Sequence, residues 1–302
     1  MQRPTFLPLL FILLFAALAC NQSALPAPEV PAITSTPVQV ATDTPTAIPE
    51  PVELTATAPP VTPSYPGTIV SFGNVTFVIP PGLATGASGS FLPAALTDQQ
   101  AAPWELTPGH IQLTLEGYIL PETFHKPRLL IYPADAYAEL MPPAASNLSF
   151  LRGLAVQPDT PLTPQILPGI PFFNAAQDFA SNIQPLAFEN GQGVRFITEY
   201  AQYAATINNT DLFYEYQGLT TDGKYYVIAI LPTTAPFLPA SPDPASVVPE
   251  GGIIHPQFDD PNANWGAYYS DVTNLLNGTA PDIFGPTLNQ LDDLIRSIQI
   301  TP

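Results

Sequence analysis

Leu186-Ala187-Phe188-Glu189-Asn190-Gly191-Gln192-Gly193-Val194-Arg195-Phe196-Ile197-Thr198-Glu199-Tyr200 decides the fold class of this chain. Asn-Gly between two apolar-rich runs favours a tight turn with both central residues at positive φ, which joins antiparallel strands. Two further segments repeat the device. Ile69-Val70-Ser71-Phe72 and Val75–Ile79 are separated by Gly73-Asn74, and residues 212–218 and 224–231 bracket Thr221-Asp222-Gly223. His110–Glu116 alternates Ile111, Leu113 and Leu115 with Gln112, Thr114 and Glu116, and residues 128–132 add another strand. Such alternation predicts one buried and one wet face.

Helical spacing appears between and after the hairpins. Residues 265–276 carry Trp265, Tyr268, Tyr269, Val272, Leu275 and Leu276 at 3, 4, 7 spacing, with Asn264 as cap and Asn277-Gly278 as stop. Residues 288–298 present Leu288, Leu291, Leu294, Ile295 and Ile298 on one side, with Asp292, Asp293 and Arg296 expected to face out. Residues 174–183 read as a short helix capped by Asn174, with Ala176, Phe179, Ala180 and Ile183 as its stripe. Weaker helical patterns lie at 135–141 and 148–155. Strands grouped in hairpins, with helices between and after them, predict an α+β domain built on a mainly antiparallel sheet with flanking helices.

That domain is expected over residues 67–302. Before it, residues 21–66 hold 11 prolines and 8 threonines and no lysine or arginine. Such a segment buries too little apolar area to offset its ordering entropy, so it is expected to be a disordered Pro/Thr stalk. Extended as polyproline II, it would reach roughly 140 Å at about 3.1 Å per residue. Residues 1–19 predict a signal peptide, with Arg3 before an apolar run and Ala17-Leu18-Ala19 directly before Cys20. The run is too short to span a bilayer. It resembles a bacterial lipoprotein signal, with Ala17 where leucine is usual. The resemblance implies that the Cys20 thiol takes a diacylglycerol and becomes the first mature residue. The protein is then held at a membrane by lipid, outside the cytoplasm, at the cell surface.

Lys+Arg number 7 against Asp+Glu 25, a formal net charge of −18. This surface repels phosphate backbones, which argues against nucleic acid as a partner, and it repels anionic headgroups, so attachment would come from the lipid. Cys20 is the only cysteine, which removes disulfides and thiolate metal sites from consideration. No cofactor motif is present, and His110, His125 and His255 lack ligand spacing.

Two arrangements are candidate binding sites. Asp260, Asn262 and Asn264, followed by Asp271, place oxygens at positions 1, 3, 5 and 12 of a calcium-type loop. Trp265 stands where the turn glycine belongs, and Asp271 is shorter than the usual glutamate. Capping-turn chemistry is the competing reading. Tyr214, Tyr216, Tyr225 and Tyr226, with Tyr200, Tyr203 and Phe213 nearby, are the candidate aromatic patch for sugar rings or a partner protein; cross-strand core pairing is the competing reading. The proline-rich loop between Pro232 and Pro256 is a candidate rim.

Residues 174–183, Gly193-Val194-Arg195-Phe196-Ile197-Thr198, residues 208–231 and Leu291-Asp292-Asp293-Leu294-Ile295-Arg296-Ser297-Ile298 together resemble a group of uncharacterised surface lipoproteins of filamentous green non-sulfur bacteria (Chloroflexota-type), which share this Thr/Pro stalk. That resemblance implies location and architecture but no activity. The last hairpin and final helix also resemble the PsbP/Mog1-type α/β sandwich. The first functional reading is a non-catalytic domain that binds or displays a protein or glycan at the cell surface. The alternative is a surface hydrolase acting on glycan or peptide, with acids brought together by the fold.

Overall fold

The turn Gly73-Asn74 joins β1 (Thr68–Phe72) to β2 (Val75–Ile79), and along β2 only Val75, Phe77 and Ile79 are fully buried. The structure, a computed structural model, describes residues 65–96 and 102–301. The expected signal 1–19, Cys20 and the stalk as far as residue 64 lie outside the described residues. Among the described residues no helix is long and apolar enough to cross a membrane.

The architecture is α+β with antiparallel sheets. β3 (Gly86–Leu92), β4 (His110–Glu116) and β5 (Arg128–Pro133) precede α1 (Ala134–Leu140) and α2 (Pro142–Val156). β6 (Ala176–Phe188) and β7 (Gly191–Ala201) form the long hairpin through the turn Glu189-Asn190, and β8 (Phe213–Thr220) and β9 (Tyr225–Pro232) form the next. α3 (Trp265–Asn277), α4 (Leu288–Arg296) and β10 (Gln299–Ile300) follow. Seven strands pair antiparallel in the order β3-β4-β5-β9-β8-β7-β6, and β1-β2-β10 form a second, small sheet.

Both faces of the large sheet are covered. Leu130, Tyr132, Tyr226, Ile228 and Ile230 pack against Tyr137 of α1 and Leu148 and Leu151 of α2. Leu129, Tyr214, Tyr216 and Val227 pack on the other side against Val272, Leu276, Leu291 and Ile295 of α3 and α4. Every residue of β8 is buried, and so is every residue of β9 after Tyr225. The one-wet-face expectation therefore holds for β4, where buried and half-buried residues alternate, but not for the central hairpin. Each fully buried Leu, Ile or Phe side chain contributes about 1.5–3 kcal/mol.

The predicted helix over 174–183 is instead the first half of β6. Register slips between Gln177 and Phe179 and between Ser181 and Gln184 insert bulges. Each bulge changes which face the next side chain takes. Phe179 thus joins the α3/α4 side, while Ala180 and Ile183 join the other. A strand interrupted in this way spaces its apolar residues as a helix would. β3, rich in glycine and serine, and the two-residue β10 carry little strand signal.

α3 starts where expected, with Asn264 Oδ1 accepting from Ala267 N at 3.0 Å. α4 is capped by Thr287 and Gln290 in a reciprocal box. Asp292 does not face out. It is 3 % exposed, lies 3.2 Å from Arg195 Nε and accepts from the Tyr214 hydroxyl at 2.8 Å. Arg195 in turn donates to Asn182 O and to Gln184 Oε1, which ties the β6 bulge to α4 through the sheet. Gly193 and Gly218 face each other across β7 and β8. A Cβ on either would come within 2.7 or 2.4 Å of the Tyr216 hydroxyl, so only glycine leaves the slot in which that ring lies.

Candidate functional site

β7 leaves the sheet after Glu199, Tyr200 and Ala201, and the chain then folds back over residues 202–212 into β8. Tyr268 and Tyr269 of α3 hold this return: Ile207 N donates to the Tyr268 hydroxyl at 3.0 Å and Ala205 N to that of Tyr269 at 2.9 Å. Asn208 fixes its end. The Asn208 backbone N–H donates to Glu199 Oε2 at 3.1 Å, its Nδ2 donates to Asp211 Oδ2 at 2.8 Å, and its Oδ1 accepts from Thr210 N at 2.9 Å.

A cleft of about 680 Å³ opens at this strand end. Phe124, His125, Phe172, Phe173, Tyr200 and Tyr203 line it, along with Arg128, Glu199, Gln202 and Asp211, and Pro242 of the proline-rich loop. The walls are locked by aromatic contacts. His125 stacks on Phe173 at 5.2 Å, Phe173 meets Tyr200 edge-on at 5.1 Å, and the Arg128 guanidinium lies 5.6 Å over the Phe172 ring. Tyr203 and Phe124 are open to solvent, 68 % and 72 % exposed. A second depression shares Phe173, Asn174 and Tyr203 with the cleft and reaches Asp178 and Tyr269.

Acids around this strand end are held towards their neutral forms. Glu199 is 1 % exposed, and burial pushes its carboxyl well above the usual range; Asp211 and Asp178 push the same way, and the Asn208 N–H opposes them. Asp178 sits at the first bulge of β6, and burial pushes it up to about 7. Its Oδ2 is buried without a hydrogen-bond partner among the described residues. Glu215 of β8 is fully buried and is pushed up to about 8, against the pull of the Gln217 amide and the Tyr200 hydroxyl that hydrogen-bond to it. His125 moves the other way: burial, helped by Arg128, lowers it to about 4, so it is neutral at pH 7.

Chemically, the cleft offers ring faces, a neutral imidazole, amide groups, one guanidinium and the carboxyls of Glu199 and Asp211, the first held towards its neutral form by burial. That set suits a ring-bearing polar ligand. Among the described residues the His125 ring makes no hydrogen bond to an acid or hydroxyl. His110 and His255 lie elsewhere, each with Nδ1 against a backbone oxygen, of Pro108 and Pro256 respectively.

The residues singled out from sequence are distributed differently. Tyr214, Tyr216 and Tyr226 are each 0 % exposed and Tyr225 is half-buried, so the expected exposed patch is core. The cause is the helices on both sides of the sheet. Tyr200 and Tyr203, at the margin of that cluster, are the two that reach the cleft. Asp260 Oδ1 accepts from Asn262 N at 2.8 Å in a local turn, Asn264 caps α3, and Asp271 is exposed on that helix. No group of three or more His, Cys, Asp or Glu that could hold a metal ion occurs among the described residues. Sequence reasoning missed Arg128, Asp178, Glu199 and Glu215. The available signal was an acid inside an apolar strand, as in Ile197-Thr198-Glu199-Tyr200 and Phe213-Tyr214-Glu215-Tyr216.

No family model, no curated protein and no solved structure matches this chain.

Proposed function

We propose that this protein is an extracytoplasmic binding domain, anchored through lipid on Cys20 and carried on its Pro/Thr stalk, whose cleft at the end of β7 takes a glycan. The observation that carries the reading is the aromatic-walled cleft, with Tyr203 and Phe124 exposed at its mouth. Sugar rings stack on such faces, while amides and hydroxyls answer their polar edges. Glu199 supports binding over chemistry, because Asn208 already occupies its carboxyl. The test is saturation-transfer NMR of the full chain against a panel of oligosaccharides. Binding is expected to fall at least tenfold in Tyr203→Ala with an unchanged melting temperature, and a panel without binders would end this reading.

One observation favours hydrolysis as a second reading. Burial pushes Asp178 up to about 7, and its Oδ2 is buried without a hydrogen-bond partner among the described residues, which suits a general acid. Turnover of aryl glycosides by the purified protein, lost in Asp178→Asn, would establish it.

A further inference from the structure

Arg128 stands apart from the other described arginines. Arg152, Arg195 and Arg296 each face a carboxylate, at 2.8, 3.2 and 3.0 Å. Arg128 makes no ion pair and donates no hydrogen bond among the described residues, although its Nε is buried. Its guanidinium lies over the Phe172 ring. In a chain with 25 acidic residues against 7 basic ones, an arginine without an acid is not explained by supply.

The strand register accounts for the isolation. Arg128 pairs with Ile230 of β9, which pairs with Glu215 of β8, so an acid lies in the same cross-strand row but two strands away. That acid is occupied by Tyr200 and Gln217. Arg128 is half-buried, and withdrawing part of a cation from water without a counter-ion is costly; a ring face offsets only part of that cost. The guanidinium lies in the wall of the cleft, where a ligand can answer it.

We propose that Arg128 binds a carboxylate of the ligand, so that the glycan taken by the cleft is an acidic one, of the uronic-acid kind; this rests on the glycan reading given above. The planar fork of arginine matches a carboxylate with two parallel hydrogen bonds. A singly charged group also suits the chain better than a dianion, because the net charge of −18 repels the second charge.

The experiment titrates the full chain calorimetrically at pH 7 with the methyl glycoside of galacturonic acid, which carries one carboxylate, and with its methyl ester, which has the same ring and no charge. The acid is expected to bind at least tenfold more tightly than the ester. Arg128→Gln should bring the acid-to-ester affinity ratio down to about one, and Arg128→Lys should retain only part of the preference. Unaltered melting temperatures qualify each variant, and if Arg128→Gln does not fold, the acid–ester ratio of Arg128→Lys decides. Equal binding of acid and ester, or a preference untouched by the variants, would overturn the role of Arg128 while leaving a glycan site in place. If only neutral oligosaccharides bind, Arg128 again loses its role. If no saccharide binds, both readings fall together.

Discussion

Replacing Glu215 by glutamine keeps the size of a fully buried side chain and removes its ability to ionise. Burial raises the Glu215 carboxyl from its ordinary 4.5 to about 8, so between those two values the folded protein holds a proton that the unfolded chain has released. Stability therefore falls as pH rises through the window, is highest below it and levels off above about 8. With about 1.4 kcal/mol for each unit, the loss from this group is about 1 kcal/mol at pH 5 and about 5 kcal/mol at pH 9. The difference, about 4 kcal/mol, should be missing in Glu215→Gln. His125 is lowered to about 4 and works in the opposite sense, adding stability as pH rises towards its unfolded value, but it is present in both proteins and cancels in the comparison. Guanidinium denaturation at pH 5, 7 and 9 supplies the measurement. The variant is expected to overtake the parent progressively as pH rises. Parallel profiles would refute the assignment of Glu215 as a buried neutral acid.

Asp292→Ala leaves Arg195 buried without its partner and should cost about 3–5 kcal/mol by chemical denaturation, whereas Arg195→Met with Asp292→Leu should lose much less. Asn264→Ala removes the cap that accepts from Ala267 N and should cost about 1 kcal/mol. Gly218→Ala drives a methyl into the Tyr216 ring and should lower the melting temperature by more than Gly153→Ala changes it, since a Cβ at Gly153 meets open space; equal shifts would show that the slot yields. Cys20→Ala should move the protein from the detergent phase to the aqueous phase in a partition assay, and equal retention would refute the lipid anchor.

How much of this was legible in the residues differs by element. The hairpins were, because Asn190-Gly191 and Thr221-Asp222-Gly223 mark locally where the chain reverses, although the first turn falls on Glu189-Asn190 and neither Asn190 nor Gly191 takes the expected positive φ. α3 and α4 were legible for the same reason, since caps and stripes lie within the helix. β6 was not. Its two bulges exist only in relation to β7, and they shift the apolar residues into a helical rhythm. The site failed on the same ground. Tyr214, Tyr216 and Tyr226 look like a recognition strip until α1, α2, α3 and α4 are laid over the sheet. Arg128 becomes notable only when three strands separate out its row. Solvent exposure and the absence of a partner are properties of assembly, and no spacing in the chain encodes them.

The small sheet has a consequence in time as well as in space. β10 pairs with β2, Asn74 Nδ2 donates to Thr301 O across a separation of 227 residues, and Asn190 Nδ2 donates to Ile300 O. A contact of that reach is entropically late, and its loop closes only after nearer pairings have formed. A chain arriving from its N-terminus therefore cannot seal the α4 side until residues 299–301 are free. During that interval β8 and β9, buried on both faces in the finished fold, stand uncovered on one of them, which is the state in which chains aggregate or are captured by chaperones. Residues 299–301 act as the latch of the fold, and breaking their pairing with β2 should slow or abort its maturation well before it weakens any single contact.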